Sequence, residues 1–236
     1  MSARGLFVTG TDTGVGKTVV ACALVRGLRE QGARVAVMKP VASGSARTPE
    51  GLRNEDALAL REAAGTAAAY EDINPYCFEP PVSPHIAAKE ASIEVDTGKI
   101  AYHYGRLAVG ADWIVVEGAG GWLAPINDRQ TMADLASSLS LPALMVVGLK
   151  LGCLNHAQLT RRAIAGRGVG FAGWVASALD PAMSRAAENL ATLEWVLGEP
   201  ALAVLAHLPA SASAVVLGEA ARRLQQRADK LLRRLE

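Results

Sequence analysis

Gly10-Thr11-Asp12-Thr13-Gly14-Val15-Gly16-Lys17-Thr18 decides how this chain is read. The segment follows an apolar run at residues 6–9 and opens a helix-length stretch at residues 17–31. A glycine-rich turn from strand to helix that closes on Gly-Lys-Thr offers backbone N–H groups, a helix N-terminus and an ammonium to a chain of phosphates. Counting back from Gly16, Thr11 stands where G-x-x-x-x-G-K-[ST] has its first glycine, and Gly10 is expected to supply the flexibility one step earlier. In this reading Gly14 and Gly16 bring the backbone close to the anion, Lys17 meets the β- and γ-phosphates, and the Thr18 hydroxyl faces Mg²⁺. Thr11 and Thr13 offer further hydroxyls. The bland alternative is a glycine-rich turn with an incidental Gly-Lys-Thr.

Outward from that loop, apolar runs at residues 6–9, 35–39, 113–117, 143–147, 171–176 and 201–205 alternate with amphipathic or alanine-rich segments. Those segments are residues 17–31, 55–64, 99–108, 132–139, 154–165 and 184–197. The runs are nearly continuous, as in strands covered on both faces. The order predicts an α/β fold of the P-loop NTPase kind, one domain over residues 1–236 with a mostly parallel sheet and helices on both faces. Residues 41–54 and 74–84 read as long irregular loops, and loops that follow strands are where an open parallel sheet keeps its ligands. A last amphipathic helix is expected where Leu217, Ala221, Leu224, Ala228, Leu231 and Leu235 recur at helical steps, with its basic residues on a solvated face.

Composition narrows the class. Half of the 236 residues are hydrophobic (50%) and 20% are charged, which favours an ordered globular chain. The 24 basic and 23 acidic side chains nearly cancel, so no general attraction to nucleic acid or an anionic membrane is expected. Cys22, Cys77 and Cys153 are odd in number and show no C-x-x-C spacing, which argues against a disulfide framework and fits a reducing compartment. No signal-peptide pattern opens the chain, and the apolar stretch near residues 141–152 is interrupted by Pro142, Gly148 and Lys150. A cytoplasmic protein without a membrane or nucleic-acid partner is expected.

Candidate chemistry clusters at the ends of the apolar runs. Glu117 ends Trp113-Ile-Val-Val and begins Glu-Gly-Ala-Gly-Gly, so it suits a magnesium–triphosphate site, which needs hard oxygen ligands; the plain alternative is an acidic residue in solvent. Gly118, Gly120 and Gly121 would let that loop approach the phosphates. Asp56 is either a second carboxylate for the cation or an acidic residue stabilising a helix start. Lys39, at the end of Val-Ala-Val-Met, reads as a second cation for a transferring phosphoryl group, or else as an ordinary edge lysine. The Lys150–Asn155 stretch enters a helix whose free N–H groups could hold a carboxylate. His85 and His156 have no visible partner triad and read as structural, and Cys153 has no identifiable base.

Four segments then carry a resemblance: GTDTGVGKT, Lys-Pro-Val-Ala-Ser-Gly at residues 39–44, Val-Glu-Gly-Ala-Gly-Gly at 116–121, and Lys-Leu-Gly-Cys-Leu-Asn-His-Ala at 150–157. In order and spacing they resemble the dethiobiotin synthetases, over most of the chain to about residue 175. The resemblance implies an ATP- and Mg²⁺-dependent ligase that converts 7,8-diaminononanoate and CO₂ to dethiobiotin, with ADP and phosphate released. Thr18, Asp56 and Glu117 would be the magnesium ligands, and Lys39, Lys17 and Thr13 the catalytic set. Nucleotide contacts would come from Gly14, Val15, Gly16, Lys17, Thr18 and Val19, from Asp56, and from Glu117, Gly118, Ala119 and Gly120. Ser177 and Ala178, with Pro209, Ala210 and Ser211, would line the base pocket. Ser43, Lys150, Gly152, Cys153, Leu154 and Asn155 would contact substrate, the last four across a homodimer interface. Two positions depart from the pattern: Ser177 replaces an adenine-reading asparagine, and Asn189 stands where some relatives have a tyrosine. The rival reading is a partitioning or nitrogenase-type switch ATPase, whose signature lysine would fall at position 12; this chain has Asp12.

Overall fold

The computed structural model describes residues 3–207. The chain begins with β1 (Arg4–Gly10), α1 (Lys17–Glu30), β2 (Val35–Met38), β3 (Val41–Ala42), β4 (Ala46–Thr48), β5 (Gly51–Arg53) and α2 (Glu55–Ala64). There follow α3 (Tyr70–Ile73), β6 (Tyr76–Cys77), α4 (Pro84–Glu90), α5 (Thr97–Ala108) and β7 (Trp113–Glu117). The second half runs α6 (Met132–Ser138), β8 (Ala143–Leu149), α7 (Cys153–Gly166), β9 (Phe171–Ala178), α8 (Ala186–Leu197) and β10 (Ala203–Leu205).

Six of the strands form one sheet in the order β10-β9-β8-β1-β7-β2, every pairing parallel. β7 and β8 are buried along their whole length and β1 from Leu6 onward, which is why their sequences are nearly continuous apolar runs. Leaving β1 the chain moves toward β2, whereas the step from β7 to β8 crosses to the other side of β1. Right-handed crossovers travelling in opposite senses place α1 on one face and α6 and α7 on the other. The reversal at β1 makes its carboxyl end the switch point where such sheets hold ligands. Of the expected elements, the last helix and the Pro209–Ser211 guess lie outside the described residues.

The two stretches read as irregular loops are in fact ordered. β4 and β5 form an antiparallel hairpin, Ala46 opposite Arg53, whose turn is closed by the Thr48 hydroxyl and by Gly51 at φ 105°. β3 pairs with β6 in parallel, Val41 opposite Tyr76. Strands of two or three residues are too short to show a period, so only tertiary pairing reveals them. Asn74, 3% exposed, staples this region by donating from Nδ2 to the carbonyls of Lys39 (2.7 Å) and Tyr76 (3.0 Å). Asn74→Ala would take this donor from the buried Lys39 carbonyl, while Tyr76 keeps its place in the β3–β6 ladder, and we expect a loss of about 1–3 kcal/mol in urea unfolding. A loss under about 0.5 kcal/mol would show that the staple is dispensable.

Candidate active site

Gly14 and Gly16 take left-handed backbones, φ 72° and 89°, and Gly16 is the residue from which α1 starts. That helix has no side-chain cap and no acid in its first turn, so its leading N–H groups are left for a ligand. A Cβ on Gly16 would stand 2.9 Å from Ser177 Oγ, which puts the end of β9 directly over the loop. Gly10 differs from its expected role. It continues β1 and has no positive φ, but a Cβ there would meet Val15 Cγ2 at 2.7 Å and the Asp12 carbonyl at 3.0 Å. Glycine is needed at position 10 for room, because the loop folds back onto the strand, and not for flexibility. Lys17 is buried and its Nζ donates to the Asp12 carbonyl at 3.0 Å. Burial, with the nearby Lys39 charge, lowers its ammonium to about 8.

Four side chains converge beside this loop, from α1, from α2, from the end of β7 and from the residue that follows β2. The Thr18 hydroxyl lies 2.8 Å from Asp56 Oδ1 and 2.9 Å from Glu117 Oε1, and its single proton serves one of them at a time. Lys39 Nζ donates to Asp56 Oδ2 at 2.8 Å and to Glu117 Oε1 at 2.6 Å. Lys39 follows the edge strand β2 yet is no ordinary solvated edge lysine: it is 3% exposed, and the two carboxylates more than offset its burial and raise its pKa. Burial pushes Glu117 up against the pull of Lys39, while the same ammonium overrides burial at Asp56 and lowers it. Asp56 sits in the first turn of α2, behind an Asn54 cap, as a dipole-stabilising acid would, and its carboxylate meets Thr18 and Lys39.

Glu117 Oε2 is buried and has no hydrogen-bond partner among the described residues. An orphaned carboxylate oxygen beside a second carboxylate and a hydroxyl fits a hard divalent cation. Two carboxylates are too few for a protein cage, and among the described residues no group of three or more His, Cys, Asp or Glu could hold a metal. The fit is to a cation completed by phosphates and water.

A cleft of about 440 Å³ opens over these groups, bordered also by Thr13, Val19, Ala42, Ser43, Asn54 and Gly120. Larger clefts of about 610 and 670 Å³ lie at the amino ends of the strands, by Arg4 and Trp113 and by Arg34 and Val35, with no glycine loop or lysine–carboxylate cluster. Gly118 could not be larger, because a Cβ would press on the Phe7 ring at 2.9 Å. Lys150, on the β8–α7 turn, does not line the cleft; it pairs with Asp12 of the glycine loop at 2.6 Å. Gly152–Asn155 form the start of α7, where Leu151 is 96% exposed. Neither expected structural histidine borders the cleft: His85 pairs with Ser83 Oγ at 2.9 Å, and His156 lies within α7. Sequence reading missed Ala42 and Asn54, which carry no chemical signature, and the use of Asp12 by Lys150.

A family model described as an AAA domain matches residues 4–215. ATP-dependent dethiobiotin synthetase BioD of Pseudomonas paraeruginosa is 48% identical over 211 residues, 89% of this chain and 92% of that protein. BioD 1 of Escherichia coli O157:H7, of the same name, is 47% identical over 196 residues, 83% and 87% of the two chains. The chain belongs to the dethiobiotin synthetase family. Its fold is shared more widely. The MinC:MinD cell division protein complex of Aquifex aeolicus contains a chain that superposes with a TM-score of 0.60 at 15% identity, covering 97% of this chain and 96% of that one. At that identity the likeness speaks for the fold alone. A cell division protein and a dethiobiotin synthetase thus share one fold, and the sequence relatives place this chain with the synthetases.

Proposed function

We propose that the chain is an ATP-dependent dethiobiotin synthetase that uses Mg²⁺ and closes the ureido ring of dethiobiotin from 7,8-diaminononanoate and CO₂. The observation that carries this reading is the convergence of Lys39, Asp56 and Glu117 on Thr18 beside a phosphate loop, in a chain of that family.

The chemistry needs charge control and no covalent nucleophile. One substrate amine takes up CO₂ as a carbamate. A carbamate oxygen attacks the γ-phosphorus, the bond to the β-phosphate oxygen breaks, and ADP leaves. The second amine then attacks the carbonyl carbon of the mixed anhydride and loses a proton as phosphate departs. Lys17 and Lys39 hold the negative charge that gathers on the transferring phosphoryl group, and the α1 N–H groups hold the phosphates that stay behind. Thr13 and Ser43 border the cleft where the carbamate would lie. A cation held by Thr18, Asp56 and Glu117 would neutralise phosphate charge. The base contacts Ser177 and Ala178, the latter the last residue of β9, and Ser177 offers one hydroxyl in place of a paired amide contact.

The whole chain acts as one ligase unit in the cytoplasm, and it works as a homodimer, with Gly152–Asn155 serving the partner's substrate. Support for the pairing is the exposure of Leu151 just before that stretch, and a monomer in sedimentation at full activity would rule it out. Among the described residues no helix is long and apolar enough to cross a membrane. ADP release measured with and without diaminononanoate and bicarbonate tests the reaction: turnover is expected only with the diamine. Slow hydrolysis indifferent to the diamine but stimulated by a protein or DNA partner would restore the switch reading.

A further inference from the structure

Asp12 receives both lysines at the glycine loop. Its main-chain carbonyl accepts from Lys17 Nζ at 3.0 Å, its Oδ1 from the Thr13 amide at 2.8 Å, and its Oδ2 from Lys150 Nζ at 2.6 Å. The last contact joins the phosphate loop to the β8–α7 turn, residues 138 apart in sequence, where the Thr11 amide already bonds the Val146 carbonyl at 3.0 Å. A carboxylate within a phosphate loop repels anions, and its position here is sustainable because Lys150 cancels its charge. Among the described residues Lys150 pairs with Asp12 and no other acid.

The pair is 39% and 44% exposed, and ion pairs of that exposure add little to folding. A contact that contributes so little to stability, yet ties two site loops together, is placed for the reaction. We propose that Asp12 is a positioning residue: its carboxylate fixes where the Lys150 ammonium stands, and so sets how the carbamate is held beside the phosphate loop. Without it, the long lysine stem swings in solvent and the cation is lost from the loop. The inference rests on the ligase reading above.

Asp12→Asn isolates the effect, since the amide keeps an oxygen for the Thr13 N–H and the carbonyl for Lys17 but loses the charge that holds Lys150. We expect the KM for diaminononanoate to rise about 10-fold while the KM for ATP stays within about 2-fold. Tm should move by about 2 °C or less. Asp12→Asn/Lys150→Met should be no worse than Lys150→Met alone, and Asp12→Glu should recover most of the loss. A diamine KM unchanged in Asp12→Asn, an equal rise in the KM for ATP, or losses that multiply in the double variant would each overturn the proposal. Wild-type protein assayed alongside separates the two readings. If it releases ADP with the diamine and Asp12→Asn does too at wild-type KM, only the role of Asp12 fails; if the wild type ignores the diamine, the ligase reading fails first.

Discussion

Lys39→Met is expected to lower turnover by about 10²–10³-fold, the loss that follows when one charge-stabilising donor leaves an enclosed site. It should also weaken the fold. The Lys39 and Glu117 side chains are 4% and 1% exposed, and removing one partner of so buried a pair costs about 3–5 kcal/mol, because the other charge is left uncompensated. Protonation of Glu117 caps that cost, since burial already pushes its pKa up. Without Lys39 the folded pKa of Glu117 lies above its unfolded value, so the native state holds the proton longer. Stability is then retained at low pH and lost as pH rises past the unfolded carboxylate value. Thermal unfolding at pH 5 and pH 8 should show a smaller gap from wild type at pH 5. An equal gap at both would mean that Glu117 is not the group left unpaired.

Lys17→Met is expected to separate activity from stability. Losing the phosphate-binding ammonium should cut turnover about 10³-fold. The fold should nevertheless gain about 2–3 kcal/mol near neutral pH, because the folded ammonium, at about 8, is held below its ordinary value of 10.5. The sign is opposite to that of Lys39. Between those two values the unfolded chain binds more protons than the native one, so wild-type stability rises with pH across that window and the advantage of the variant fades. Wild-type kcat/KM for ATP should meanwhile fall above pH 8, as free enzyme loses the Lys17 proton. Calorimetry of both proteins from pH 7 to 10.5 checks the first, and a pH–rate profile the second. A variant that melts below wild type at pH 7 would show that the Lys17 bond to the Asp12 carbonyl outweighs desolvation.

The sheet and the site were legible to different degrees. Nearly continuous apolar runs such as residues 113–117 and 143–147 announced buried parallel strands, because a strand covered on both faces has few polar residues to blur the pattern. The phosphate loop carried its own signature, and Glu117 was findable from its place at a strand end. The short strands in residues 41–54 escape the sequence because β3 is held by β6, and β4 and β5 by each other, through contacts that no local pattern encodes. Gly10 was assigned flexibility where crowding by Val15 is the cause, a distinction that only the folded backbone can draw. Asp12 was noticed for the lysine it lacks. Its use of Lys150 depends on β8 lying beside β1, a consequence of strand order.

That strand order also divides the chain by task. β2, β7 and β1 are neighbours, and they come, with α1 and α2, from the first 117 residues. Thr18, Lys39, Asp56 and Glu117 are therefore all present and adjacent once the first half of the sheet has formed. Lys150 and Ser177 arrive only with β8 and β9, from the opposite side of β1. Synthesised from the N-terminus, such a chain carries its glycine loop, Lys39 and both carboxylates before Lys150 and Ser177 exist.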